Sequence, residues 1–133
     1  MTGVQTCALP ISAMGGRLIR QWLNYPLIDP EKIRDRQDAI GELIEKNGLR
    51  NKLRSSLREI SDIERLIGRI STKSARPRDL GALRDSLTLI SQVKSLSEKL
   101  NTKLNNEIRN GIDDLADIRE QLDKYVVDEP PLS

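Results

Sequence analysis

Any chemistry in this chain must be sought among its acids, arginines and serines, because the 133 residues include no His and a single Cys. Without an imidazole there is no His-based acid/base catalysis and no His-ligated zinc. Cys7 alone closes no internal disulfide and builds no Cys-cluster metal site. The serines have no His and no nucleophile-elbow motif to activate them. Two acid pairs, Asp113-Asp114 and Asp128-Glu129, are the candidates for Mg²⁺. The first pair stands with Asp117 where a last helix should begin, a place where the helix dipole favours anions. The second lies in a polar tail. Both fit these bland roles better than metal binding. No GxxxxGK[ST] phosphate loop is present. The chain reads as a non-enzyme, with no catalytic residue, no cofactor site and no metal ligand of its own.

Charge is the next resource. The net charge of +2 hides a gradient: residues 1–84 hold 16 Lys/Arg against 10 Asp/Glu, and residues 85–133 hold 6 against 10. A basic half can touch phosphate, meet an acidic neighbouring domain, or be a solvated face. The signs are mixed and no aromatics are interleaved, so the sequence does not single out one basic face for nucleic acid. Charged residues at 32% and hydrophobic ones at 37% suit a surface-rich helical protein of one domain. No apolar run approaches the roughly 20 residues of a membrane span.

The positioning elements are helices throughout. Asp29-Pro30-Glu31 is a helix start, with a capping acid and Pro at the first position. Ile33, Ile40, Leu43 and Ile44 line its apolar face, and Asn47-Gly48 is expected to stop it. Leu49, Leu53, Leu57 and Ile60 continue at helical spacing. Ser61-Asp62-Ile63-Glu64 fits a capping box, ahead of a helix burying Ile63, Leu66, Ile67 and Ile70. Pro77 opens the longest pattern, through Leu80, Leu83, Leu87, Ile90, Val93, Leu96, Leu100 and Leu104. Arg76 before it cannot cap as a Ser would, so this helix start is expected to fray. Asn105-Asn106 or Asn110-Gly111 punctuates the pattern, and Ile112, Leu115, Ile118 and Leu122 form a last helix. The fold class is all-α: an elongated multi-helix bundle of about five or six helices. Leu96, Leu100 and Leu104 are expected to be left uncovered and to mediate self-association.

The stretch from Met14 to Pro30 holds the only Trp and one of two Tyr in a chain without Phe. Leu18, Trp22 and Tyr25 form one helical stripe, widened by Ile19 and Leu23, and Pro26 ends it. Arg17 and Arg20 flank the stripe. On pattern this is a first helix docking Trp22 into the core. Met14, Gly15, Arg17, Leu18, Arg20, Trp22, Leu23, Pro26, Leu27 and Asp29 match a run of the form Met-Gly-x-Arg-Leu-Leu-Arg-x-Trp-Leu-x-x-Pro-Leu-x-Asp. Ile33, Arg34, Arg36, Asp38 and Ala39 follow in order, then Asp62-Ile63-Glu64-Arg65-Leu66 and Pro77-Arg78-Asp79-Leu80. On these motifs the chain, from about Ala13 to Ser133, resembles the helical core (lever) domain of the MutS family of DNA mismatch-recognition ATPases.

That resemblance implies a fragment, residues 13–127, followed by an exit segment, 128–133, towards a DNA clamp that the chain lacks. It implies a structural and allosteric role, relaying between ATPase and clamp regions. The first nine of the motif residues, Met14 to Leu27, are its structural anchors. ATP and Mg²⁺, in this reading, bind the parent outside this chain. The implied partners are other domains of the parent and, through it, double-stranded mismatched DNA. The parent is implied to be a cytoplasmic, nucleoid-associated homodimer with no membrane contact. Met1 to Ile11 stands apart: uncharged, broken by Pro10, without the features of a secretory signal, and similar to a translated sequencing adapter. It is expected to be a scar outside the fold, with the boundary at residue 12. The competing reading is a stand-alone helical adaptor module that binds a partner protein.

Overall fold

The computed structural model describes residues 10–126, so the expectations for residues 1–9 and for the exit segment fall outside the described residues. The described part is all-α, with seven helices: α1 (Ala13–Asn24), α2 (Pro30–Glu45), α3 (Asn47–Glu59), α4 (Ile63–Ser71), α5 (Pro77–Ser97), α6 (Lys103–Gly111) and α7 (Ala116–Tyr125). α5 is the axis of the packing. It contacts α3, α4, α6 and α7, while α2 lies against α3 and α6. The buried apolar residues are Ala39, Leu53, Leu66, Leu87 and Leu100, one each from α2, α3, α4, α5 and the α5–α6 connection. Small residues, Gly81, Ser86 and Ser97, are also buried on α5. Each buried hydroxyl is satisfied: Ser86 Oγ donates to the Ala82 carbonyl at 2.7 Å and accepts from the Ser61 N–H at 3.0 Å, and Ser97 Oγ donates to the Val93 carbonyl at 2.7 Å.

Helix starts follow the sequence in part. Asp29 caps α2 by accepting from the Glu31 N–H at 2.9 Å, with Pro30 behind it. At α4 the cap is Asp62, one residue later than Ser61, and its carboxylate accepts from the Arg65 N–H. The bare Arg76 is compensated from inside α5: the Asp79 carboxylate accepts the Arg76 N–H at 2.9 Å and pairs with Arg69 at 3.2 Å. That is the reciprocal half of a capping box, so the expected weakness at this start is answered.

Three boundaries depart from expectation. Asn47-Gly48 opens α3 instead of stopping α2. The break falls at Lys46 alone, with φ −88° and ψ 54°. The long Leu pattern is two helices, because α5 ends at Ser97 and α6 starts at Lys103. The interruption is stabilised from outside by Glu42, described below. Leu115 then takes the left-handed conformation at φ 48°, an arrangement costing about 1–2 kcal/mol for a residue with a Cβ, while its N–H donates to Asp113 at 3.0 Å.

The apolar faces are narrower than their periodicity suggests. Ile40, Ile44, Ile67, Ile70 and Ile118 are exposed, since each short helix meets the bundle along only one row. Leu100, expected to be uncovered, is 4% exposed, and Leu96 and Leu104 are half-buried. The turn between α5 and α6 folds that end of the pattern back into the core.

Candidate functional site

The first helix carries the residues of interest, and its geometry begins at its N-terminus. Ser12 Oγ accepts the Gly15 N–H at 3.1 Å, capping α1 with a residue placed by the sequence in the leading segment. A Cβ on Gly15 would stand 3.2 Å from that hydroxyl, and one on Gly16 3.0 Å from Pro10 Cγ. The Gly15-Gly16 pair is what lets the incoming chain lie this close.

α1 contains no acid and contributes no buried residue. Met14, Gly15, Arg17 and Leu27 are half-buried, whereas Leu18, Arg20, Trp22, Leu23 and Pro26 are exposed. Trp22 retains 39% of its surface, Leu23 76%, Tyr25 79% and Ile28 92%. The docking of Trp22 into the core is therefore corrected: the core closes over Leu53, Leu66 and Leu87 without it. One ring face is instead covered by the Arg36 guanidinium of α2, 3.6 Å from the ring centroid.

The polar side of α1 does the fastening. Arg17 donates from Nη1 and Nη2 to Asp62 at 2.9 and 2.7 Å, and also pairs with Glu64. These hydrogen bonds to Asp62 raise the Arg17 pKa against the opposing effect of burial. In turn, Arg17 holds the Asp62 carboxyl below its ordinary value, opposed by burial and helped by the Arg65 N–H. Asp62 thus caps α4 with Oδ1 while both of its oxygens anchor α1.

A second polar node sits where α2 meets α6. Glu42, its side chain only 9% exposed, accepts from Lys46 Nζ (2.8 Å), the Asn101 N–H (2.7 Å), the Thr102 N–H and hydroxyl (3.0 and 2.9 Å), and Asn105 Nδ2 (2.9 Å). Burial alone would push this carboxyl up. Donation from Lys46, Asn105, Thr102 and Asn101 outweighs it and holds the pKa well below the carboxylate range. Lys46 also donates to the Lys99 carbonyl at 2.6 Å. Beside the node, Asp35 accepts from Lys103 at 2.8 Å and raises its pKa.

Among the described residues no group of His, Cys, Asp and Glu is placed to hold a metal ion. No helix among them is long and apolar enough to cross a membrane. The site consists of an exposed apolar helix held by ion pairs and a capping carboxylate that ties distant elements together. Nothing in the sequence sets Glu42 apart from the other helical acids. For Arg17 there is a sign: a helix without any acid must find the partner of its arginine elsewhere.

The model of MutS domain III matches residues 9–133. The chain belongs to the MutS domain III family. The DNA mismatch repair protein MutS of Halothermothrix orenii is 46% identical over 123 residues, that of Symbiobacterium thermophilum 39% over 123, and that of Alkaliphilus oremlandii 42% over 122. Each comparison covers 92% of this chain and 14% of the relative. The chain therefore spans about one seventh of the length of these MutS proteins. The all-helical architecture agrees with the fold that the motif run from Met14 to Asp29 implies for a MutS core segment.

Proposed function

We propose that this chain is the helical core segment of a MutS-like DNA mismatch-recognition ATPase, and that it carries no active site. Its part is mechanical, relaying between the regions of the parent that hydrolyse ATP and those that grip DNA. The observation that carries this reading is the construction of α1. Its motif residues are fastened to α4 through Arg17, while Leu18, Ile19, Trp22 and Leu23 face outward. A helix held rigidly by ion pairs with its apolar row free is a coupling surface for other domains of the same parent. Arg17–Asp62 joins that surface to α4, and Glu42 ties α2 to the α5–α6 turn and α6 within the bundle, so a push on α1 is passed through α4 to a body that moves as a unit. ATP and Mg²⁺ are bound, and the mismatch is read, elsewhere in the parent, a homodimer in this reading.

A graft tests it. Residues 13–126 replace the equivalent stretch of the Halothermothrix orenii protein, and ATP hydrolysis is followed with matched and mismatched duplexes. The graft should keep its response to a mismatch, and Leu23→Glu within it should abolish that response while basal hydrolysis persists. A Leu23→Glu graft that responds like the parent graft would remove α1 from the relay. The exposed face of α1 equally suits a stand-alone adaptor. An inert graft, combined with a tight complex between the isolated chain and a foreign helix, would favour that reading.

A further inference from the structure

We infer that the outer face of α3 is a contact surface for the phosphodiester backbone of a nucleic-acid duplex, read without regard to sequence. The helix carries Arg50, Lys52, Arg54 and Arg58 against one acid, Glu59. Its leucines are turned inward: Leu53 is buried, and Leu49 and Leu57 are half-buried. The face opposite presents Asn47, Asn51, Arg54, Ser55 and Arg58, all exposed, with Arg50 beside them. Arg50, Arg54 and Arg58 repeat every four residues, a row of guanidiniums about 6 Å apart along the axis.

Two properties mark this row off from ordinary solvated charge. The first is that it is unspent. Arg54 and Arg58 have no ion-pair or hydrogen-bond partner among the described residues, and Arg50 donates only to Asn47 Oδ1, at 2.7 Å. Arg17, Arg65, Arg69 and Lys103 are each paired with a carboxylate, and other exposed arginines unpaired among the described residues, Arg20, Arg34 and Arg78, are spread singly over α1, α2 and α5 instead of forming a row. The second is that the exposed residues of the face are donors, and the nearest apolar side chains, Leu89 and Leu96 of α5, are half-buried in the groove beside Asn51 and Ser55. A protein partner would call for a hydrophobic or aromatic centre to its footprint. Phosphate oxygens call for guanidinium, amide and hydroxyl donors in a row, and the match is to them. The apolar docking surface of this molecule is α1, on another element. The inference rests on the charge and composition of α3 and would survive failure of the relay reading.

The probe is a fluorescein-labelled 20-base-pair duplex, titrated with the 133-residue protein by anisotropy between 50 and 200 mM salt. Three phosphate contacts give a logarithmic salt slope near −2.7, or about 40-fold weaker binding over that range. Changing Arg50, Arg54 and Arg58 together to Gln should remove most of the slope and weaken binding at 50 mM salt by tenfold or more. Arg54→Gln alone should lower the slope by about one. Circular dichroism checks that the variants stay helical, and an equal loss of charge at Arg20, Arg34 and Arg78 is the control. Three outcomes would overturn the inference: no duplex binding at 50 mM salt, equal weakening by the control set, or displacement of the duplex by polyglutamate at matched charge concentration. The last would assign the face to an acidic protein segment.

Discussion

Arg17 and Asp62, 45 residues apart in sequence, meet as a bidentate ion pair in which Nη1 donates to Oδ2 at 2.9 Å and Nη2 to Oδ1 at 2.7 Å. Fork-to-fork pairing fixes orientation as well as distance. It matters here because α1 has no buried residue with which to hold its place. The substitution Arg17→Ala should therefore release α1 without melting the bundle. Hydrogen exchange should show α1 amides opening at least tenfold faster while those of α3 and α5 keep their protection. Arg17→Lys should rescue only part of this, since an ammonium cannot pair with both oxygens in the same way. Unchanged exchange in α1 would mean that its apolar contacts suffice.

Trp22 follows from the same arrangement. Truncating a buried aromatic costs about 3–5 kcal/mol, but this ring keeps 39% of its surface and is covered on one face by Arg36. The expected loss for Trp22→Ala is about 2 kcal/mol, the size of an exposed cation–π contact plus partial burial. Urea titration of the isolated chain measures it. A loss above 3 kcal/mol would show that the ring is enclosed in solution.

Much of the fold was legible in local chemistry. Asp29-Pro30-Glu31 starts a helix for reasons contained in three residues, and Leu53, Leu66 and Leu87 are buried where their spacing puts them. The misses share one cause: they depend on what a helix meets. Periodicity places Ile40, Ile44 and Ile67 on apolar faces, yet cannot say that no neighbour covers them. Asn47-Gly48 reads as a stop but starts α3, because the turn is completed at Lys46 by contacts to Glu42 and to the Lys99 carbonyl. The row of arginines on α3 was hidden for the same reason. Only after its leucines are seen turned inward does the charge resolve to one face.

Leu100 shows how far such a context can invert a reading. The pattern from Leu80 to Leu104 makes it a residue on the far end of one long helix, open to a second copy. Instead it lies between α5 and α6 and is 4% exposed. Leu100→Ala should cost about 2–5 kcal/mol, as large-to-small changes in a core do. Leu100→Glu should unfold the chain, where a surface leucine would tolerate the charge. Chemical denaturation with light scattering separates these outcomes. A folded Leu100→Glu variant that had merely lost self-association would restore the exposed-seam picture.

Glu42 yields the sharpest pH signature. Its five donors come from Lys46 at the α2–α3 break, from the α5–α6 turn and from α6, and they favour the ionised carboxylate. Because the folded-state pKa is depressed, its contribution is fully present above the ordinary carboxylate pKa and is lost as pH falls towards the folded value. Glu42→Gln turns one acceptor into a donor facing other donors. It should cost about 2 kcal/mol at neutral pH, the scale of hydrogen bonds to a charged group. Asp62 titrates in the same direction in both proteins, so it cancels in the comparison. The gap in stability between wild type and Glu42→Gln should be constant from pH 7 to about 5 and shrink steadily below that. Urea midpoints at pH 7, 5, 4 and 3 provide the measurement. A gap that stayed the same at pH 3 as at pH 7 would mean that the α5–α6 turn is held by its own backbone, with Glu42 contributing shape and not charge.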